Sequence, residues 1–183
     1  MKRKTAKEVL AITLKELAEE KTLDKISVSE IVQESGYSTA TFYRHFKDKY
    51  DLADWIYSTD ISWIFDTYLV KEQSWSEVLS AVSDYYVDNK KYLSNFVRCA
   101  DGNSPFLASL FRINYSLFHK TFCGVSGVSK LDNESEIIMR FYAYGCISLT
   151  YEWLLGSDSL EKVKLSQVYA ITLPEQLRRY LDK

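Results

Sequence analysis

Glycine and proline are scarce in this chain, six and two among 183 residues. So few turn-formers leave little room for hairpins and many-stranded sheets, and direct attention to helices. Cysteine is scarce as well. Cys99, Cys123 and Cys146 are an odd number without a C-x-x-C pair, so they give no disulfide framework and read as reduced thiols buried as small hydrophobes. His45 and His119 are the two histidines, too few for His-based acid–base or triad chemistry. His119 and Cys123, four apart on a predicted helix, lack a third ligand, so neither a metal nor another cofactor is expected. The signatures G-x-x-x-x-G-K-[ST], G-x-G-x-x-G, H-E-x-x-H and G-x-S-x-G are missing, and no catalytic residue is expected. An apolar run of about 18 residues and a signal peptide are missing too, which predicts a soluble, cytoplasmic protein without a membrane partner.

What is present is helical period nearly from end to end. Ala6, Leu10, Leu14, Leu17 and Ala18 share one face of a helix predicted over residues 5–20. The next stretch, residues 27–49, carries the most information. Ser27 and Glu30 are spaced as a capping box, Ile31 and Val32 follow as apolar residues, and Gly36 stands where a short helix must end. Ser38 can cap a second helix over Thr39 to Phe46, and Asp48 a third. Two short helices joined by a glycine-containing turn are a means of placing a recognition helix in the DNA major groove. Thr39, Thr41 and Arg44 suit base edges, Arg with guanine in particular. Ser27 lies at a helix N-terminus that favours an anion, and Tyr37 can reach phosphate or a thymine methyl. Phe42 and Phe46 belong to the core. Charge agrees mildly: residues 1–50 hold ten Lys/Arg against eight Asp/Glu, whereas the chain as a whole carries −2. Lys2, Arg3, Lys4 and Lys7 crowd the N-terminus within reach of phosphate.

The run from Ile26 to Leu52 also resembles the DNA-binding domain of TetR-type transcriptional regulators. The resemblance rests on Gly36-Tyr37-Ser38, on Thr41 to Phe46, and on Lys49 with Leu52. It implies that Tyr43, His45 and Lys49 contact phosphate, that the partner is double-stranded DNA with a near-palindromic operator, and that an all-helical regulatory domain follows. Phe141 to Trp153 is reminiscent of the branch that includes dihydroxyacetone-kinase operon activators. The fold expected is all-α, with a three-helix DNA-binding domain over 1–50 and a helical effector-binding and dimerisation domain over 51–183. The helix from Asp48 to about Leu69 would link them, so that a change in the second domain tilts the recognition helix.

Beyond that helix the expected elements are residues 74–89, 90–99, 105–122, 134–155 and a final helix that Pro174 splits near Leu173. Loops are expected at Asp101-Gly102-Asn103 and over 123–133, and Gly156-Ser157-Asp158-Ser159 would end one helix and cap the next. Of 27 aromatic residues, 22 lie after residue 50. Phe111, Tyr115, Phe118 and Phe122 form a stripe that suits either a core or a ligand cage. With Trp63, Tyr85 and Tyr86, which bring hydroxyl or indole donors, Tyr115 and Phe118 are the candidate effector-binding residues. Two apolar lines run along the helix 134–155, Ile137-Phe141-Tyr144-Ser148 and Ile138-Tyr142-Gly145-Leu149-Trp153. One can serve the protein's own core while the other meets a second copy, and Ala143, Gly145 and Ser148 are small enough for close approach. Gly145, Leu149, Trp153 and Leu177 are the candidate dimer contacts. Control by a small-molecule effector and control by a protein partner both remain open, as do repression and activation.

Overall fold

Local capping signals set most of the element boundaries. The computed structural model describes residues 4–71, 73–98, 104–157 and 164–181, and among them no strand occurs. Helix α1, Ala6–Glu20, starts at Thr5, whose hydroxyl accepts from the Glu8 N–H while the Glu8 carboxylate takes the Thr5 N–H at 2.7 Å. A 3-10 turn, Leu23–Lys25, leads to α2, Val28–Ser35, and then to α3, Thr39–His45. Asp48 Oδ1 accepts from the Tyr50 and Asp51 N–H groups and so caps α4, Lys49–Lys71. Helices α5, Trp75–Asp88, and α6, Lys90–Val97, are separated by Asn89. Pro105 opens α7, Pro105–Ser126, at the position where its missing N–H costs nothing. Asp132 caps α8, Asn133–Leu154. The final helical stretch is split around Pro174 into α9, Leu165–Ile171, and α10, Glu175–Leu181. Lys2, Arg3, Cys99, the loop 101–103 and the cap at Asp158-Ser159 lie outside the described residues.

One boundary departs from expectation. The loop expected from Cys123 is helical as far as Ser126, and Gly127, at φ 73°, ends the helix in place of Gly124. A helical glycine costs only about 1 kcal/mol, whereas Thr121 and Phe122 are buried just before it and Phe122 meets Tyr180 edge-on at 5.3 Å. Packing of that turn outweighs the propensity of one glycine.

The elements gather into two compact units, Met1–Tyr57 with Asn89–Ser109, and Ser58–Asp88 with Leu110–Lys183. The division expected from sequence was a single cut at residue 50. Residues 89–109 join the first unit because α6 docks on α1. There the Asn95 amide donates to the Ala18 carbonyl at 2.8 Å, Lys91 pairs with Glu19 and Glu20, and the Lys15 ammonium lies 5.2 Å from the Tyr92 ring centre. Leu10, Leu14, Ile31, Phe42, Leu52 and Phe96 are fully buried there, and Phe106 sits edge-on to both Tyr57 and Phe96. The second unit centres on Trp75, stacked on Phe118 at 4.9 Å and flanked by Phe65 and Tyr68. Among the described residues no helix is long and apolar enough to cross a membrane.

Candidate functional site

The first unit builds its outward surface from the core out. Phe42 is fully buried and Phe46 nearly so, which anchors α3 on α1 and α2 and fixes what it shows to solvent. At about 100° per residue, burial of Phe42 turns Thr39, Ala40, Tyr43 and Arg44 outward, and all four are exposed, as is Lys47 just beyond the end of the helix. Tyr43, 57% exposed, stands edge-on to Phe42 at 5.4 Å, so its phenol is not part of the core. Ala40 and Lys47 were not singled out in the sequence. The spacing of Ala40 three and four residues before Tyr43 and Arg44 was the signal that places it on this face, whereas Lys47 follows the end of the helix, where helical spacing gives no signal. An alanine methyl there suits a thymine methyl, and Lys47 suits phosphate.

Caps hold this surface in place. Ser27 Oγ accepts from the Glu30 N–H at 3.2 Å, and Glu30 returns to the Ser27 N–H at 3.5 Å. Lys21 pairs with the same carboxylate, and that hydrogen bond holds Glu30 below the ordinary glutamate range. Gly36 closes α2 at φ 72°, a conformation that costs glycine nothing. Ser38 Oγ accepts from the Thr41 N–H at 3.2 Å and lies 3.0 Å from Thr41 Oγ1, so the Thr41 hydroxyl is part of the cap, and its residue is half-buried. Tyr37 is half-buried, with its N–H directed to Ser35 Oγ at 3.4 Å. His45 is half-buried against Phe46. Lys7, one of the basic N-terminal residues, has its ammonium 5.5 Å and 5.7 Å from the Phe46 and Trp55 ring centres.

Lys49 departs from a simple phosphate contact. Its ammonium donates to the carbonyl oxygens of Asp24 at 2.7 Å and Ile26 at 2.6 Å. It therefore ties the start of α4 to the 3-10 turn that delivers Ser27 and α2.

In the second unit the expected effector residues do not converge. Tyr86 and Phe118 line a cavity of about 60 Å³, together with Trp75, Tyr142, Cys146 and Ile147. Trp63 is 70% exposed, because Ile61, Ile64, Phe65 and Tyr68 form the buried side of that part of α4 and leave Trp63 on the opposite side. The Tyr85 hydroxyl turns to Asp60 at 3.4 Å. Tyr115 belongs to a polar cluster: it bonds Glu136, which Arg140 also reaches at 3.0 Å, and His119 Nε2 lies 3.5 Å from the same carboxylate. The Tyr115 hydrogen bond holds Glu136 below the ordinary glutamate range, while burial pushes Tyr115 up to about 12. Cys123 Sγ is 3.7 Å from His119 Nδ1 and burial raises its pKa; Cys146 is pushed up to about 12 for the same reason. Both thiols are thus held protonated.

The two lines on α8 also divide differently from expectation. Tyr142, Ala143, Ile147, Thr150 and Leu154 are buried in the unit itself, whereas Ile137 and Phe141 are 66% and 83% exposed and Tyr144 is partly so. Leu149 and Trp153 are half-buried, and Gly145 is exposed with nothing within 4 Å of a Cβ built on it. Leu177 is fully buried within its own unit and is removed from the candidate dimer contacts. Ala143, similarly, is filled by the core and offers no close approach to another chain.

Comparison with known proteins agrees with the all-helical fold. Residues 13–55 match the model for bacterial regulatory proteins of the tetR family, and residues 73–171 match a model for the C-terminal region of transcriptional regulators. The chain is 25% identical over 183 residues to the HTH-type dhaKLM operon transcriptional activator DhaS of Lactococcus lactis subsp. lactis (strain IL1403), covering 91% of this chain and 88% of that one. It is 33% identical over 114 residues to an HTH-type transcriptional regulator of Staphylococcus aureus (strain USA300), covering 56% of this chain and 61% of the relative. Among solved structures, the dihydroxyacetone kinase operon activator DhaS superposes with a TM-score of 0.59 at 19% identity, over 96% of this chain and 93% of that one. A TetR transcriptional regulator from Rhodococcus sp. RHA1 also gives 0.59, at 15% identity, over 95% and 92%.

Proposed function

The chain belongs to the tetR family of bacterial regulatory proteins, and we propose that it works as a two-fold dimer on a near-palindromic operator, releasing or tightening its hold when a small molecule enters the second unit. The observation that carries the DNA reading is α3, which is anchored by Phe42 and turns Thr39, Tyr43 and Arg44 to solvent as one face. Thr39 and Arg44 read base edges, Tyr43, His45 and Lys47 take phosphate, and Ser27 and Tyr37 border the same surface. A single such face gives modest affinity, and a second copy supplies the other half-site one helical turn, about 34 Å, or a multiple of it away.

The dimer is supported by α8. Ile137, Phe141 and Tyr144 form an exposed apolar row, and the open side of Gly145 lets a second helix come close. A contiguous apolar row facing water is costly and marks a surface that is covered in the assembled protein. Leu149 and Trp153 are half-buried on another side of the helix and do not belong to this row.

Selection from random duplexes, joined to sedimentation equilibrium, tests the reading. The expected result is an inverted-repeat sequence bound by a dimer, with Phe141→Glu giving folded monomers that bind it poorly. A wild-type protein that sediments as a monomer at micromolar concentration, or that binds all duplexes alike, overturns it. A second reading, control by a protein partner with activation as the outcome, draws on the small volume of the aromatic-lined cavity and on the Lactococcus relative, a transcriptional activator. A response of operator binding to a co-purifying protein, with none to small molecules, would select it.

A further inference from the structure

The second unit has two hollows with a common wall. The first, about 60 Å³ and lined mostly by aromatic and aliphatic groups, is far smaller than the usual small-molecule site. The other is a groove of about 340 Å³ between α5, α8 and α9, which falls within the roughly 300–1,000 Å³ usual for small-molecule sites. Val82, Tyr86, Thr150 and Tyr169 line both.

The groove is chemically unlike the aromatic core behind it. Ser83, Ser166, Asp84, Lys164 and Trp153 are among its lining residues. At its floor, Thr150 and Tyr169 are buried and bonded hydroxyl to hydroxyl at 2.8 Å, with Thr150 also donating to the Cys146 carbonyl at 3.0 Å. Tyr169 is fixed in turn, because its carbonyl accepts from the Tyr142 hydroxyl at 2.7 Å.

We propose that this groove binds a small, uncharged, polyhydroxylated molecule, a sugar or a polyol. The inference rests on the reading that the second unit receives a small molecule, and names its site and class. Asp84 and Lys164 are of opposite sign, so the groove as a whole favours neither an anion nor a cation. Asp84 accepts two hydroxyl protons, Lys164 donates to a ligand oxygen, and the serine hydroxyls do either. The apolar C–H face of a ring or an extended polyol lies on the Trp153 indole. An apolar ligand would leave these polar groups without partners on desolvation, which disfavours it. A wholly apolar guest suits the aromatic-lined hollow instead, whose volume of about 60 Å³ is small for a ligand site.

The full-length protein is titrated with D-glucose, D-xylose and ribitol, and with D-gluconate and D-glucosamine as charged counterparts, by tryptophan fluorescence and calorimetry. The expected result is saturable binding of at least one neutral compound, tighter than its charged counterparts. Asp84→Asn should weaken that binding about tenfold or more, the size of one lost charge-assisted hydrogen bond. Asp84 is exposed, so this variant should melt with the wild type, and Ser83→Ala serves as a second, milder probe. Binding of a neutral compound with an unchanged Kd in both variants overturns the site while leaving the regulator reading intact. Gluconate or glucosamine binding at least as tightly overturns the class, as does failure of every neutral compound to saturate a protein that still binds its operator. Loss of sequence-specific DNA binding in the wild type would fault the regulator reading instead.

Discussion

Replacing Lys49 by alanine separates two ways in which a lysine at the start of α4 can serve DNA binding. Its ammonium donates to the carbonyls of Asp24 and Ile26 at 2.7 Å and 2.6 Å. Hydrogen bonds from charged donors contribute about 1.5–3 kcal/mol each in general. The two here share one donor group and are only part-buried, so the pair is worth about 2 kcal/mol. For a chain of this size, about 2 kcal/mol corresponds to a fall in Tm of roughly 4–8 °C. A lysine that acts by holding the turn should lose operator affinity through the orientation of α2, with the slope of log K against log salt unchanged. A lysine that neutralises one phosphate should instead flatten that slope by about 0.9. Thermal unfolding by circular dichroism, with anisotropy titrations on a fluorescent duplex across a salt series, measures both. The structure favours the first outcome. An unchanged Tm together with a slope reduced by one phosphate's worth would refute the positioning argument and restore Lys49 to the phosphate contacts.

Arg44→Ala should cost about 1–3 kcal/mol on the preferred operator and relax preference at one base pair per half-site, read by competition among single-base variants; a uniform loss on all sequences would make Arg44 a phosphate contact. Gly36→Ala meets no atom within 4 Å, so its penalty is conformational, about 1 kcal/mol for a side chain at φ 72°. A Tm equal to that of the wild type would show that the turn relaxes. Glu136 is held below its ordinary range, first by the Tyr115 hydrogen bond. Its carboxylate therefore stabilises the fold above the ordinary glutamate pKa, and the contribution is lost as pH falls through the lowered value. Glu136→Gln should be less stable than the wild type at neutral pH, with the gap closing on acidification; parallel Tm curves from neutral to acid pH would remove the cluster from the stability account.

Sequence was most informative where the determinants are neighbours along the chain. The Ser27–Glu30 box, Ser38, Gly36, Pro105 and the break at Pro174 each act within a turn of their own position, and each stands in the structure as the spacing predicts. Periodicity likewise separated Phe42 and Phe46 from the exposed side of α3. What could not be read there depends on partners distant in sequence. The stripe on α1 requires a cover, and part of that cover is α6, whose docking depends on Asn95 reaching the last turn of α1 from 77 residues away. On α8 both apolar lines satisfy the same helical pattern, so hydrophobicity alone does not say which one the core takes. The core took neither line whole: Met139, Tyr142, Ala143, Ile147, Thr150 and Leu154 are buried, and Tyr142 is held there because its hydroxyl finds the Tyr169 carbonyl at 2.7 Å while its ring meets Phe118. Once Tyr142 is inside, a rotation of about 100° per residue carries Phe141 and Tyr144 outward. The same step explains Trp63 on α4, where four buried neighbours left it the solvent side. Aromatic content marked the second unit as rich in candidate contacts, but the groove at α5, α8 and α9 draws on serines, Asp84 and Lys164, residue types that a search for an aromatic cage passes over. A ligand site of that kind is visible only after folding, because its polar groups come from three separate helices and no one of them carries a pattern of its own.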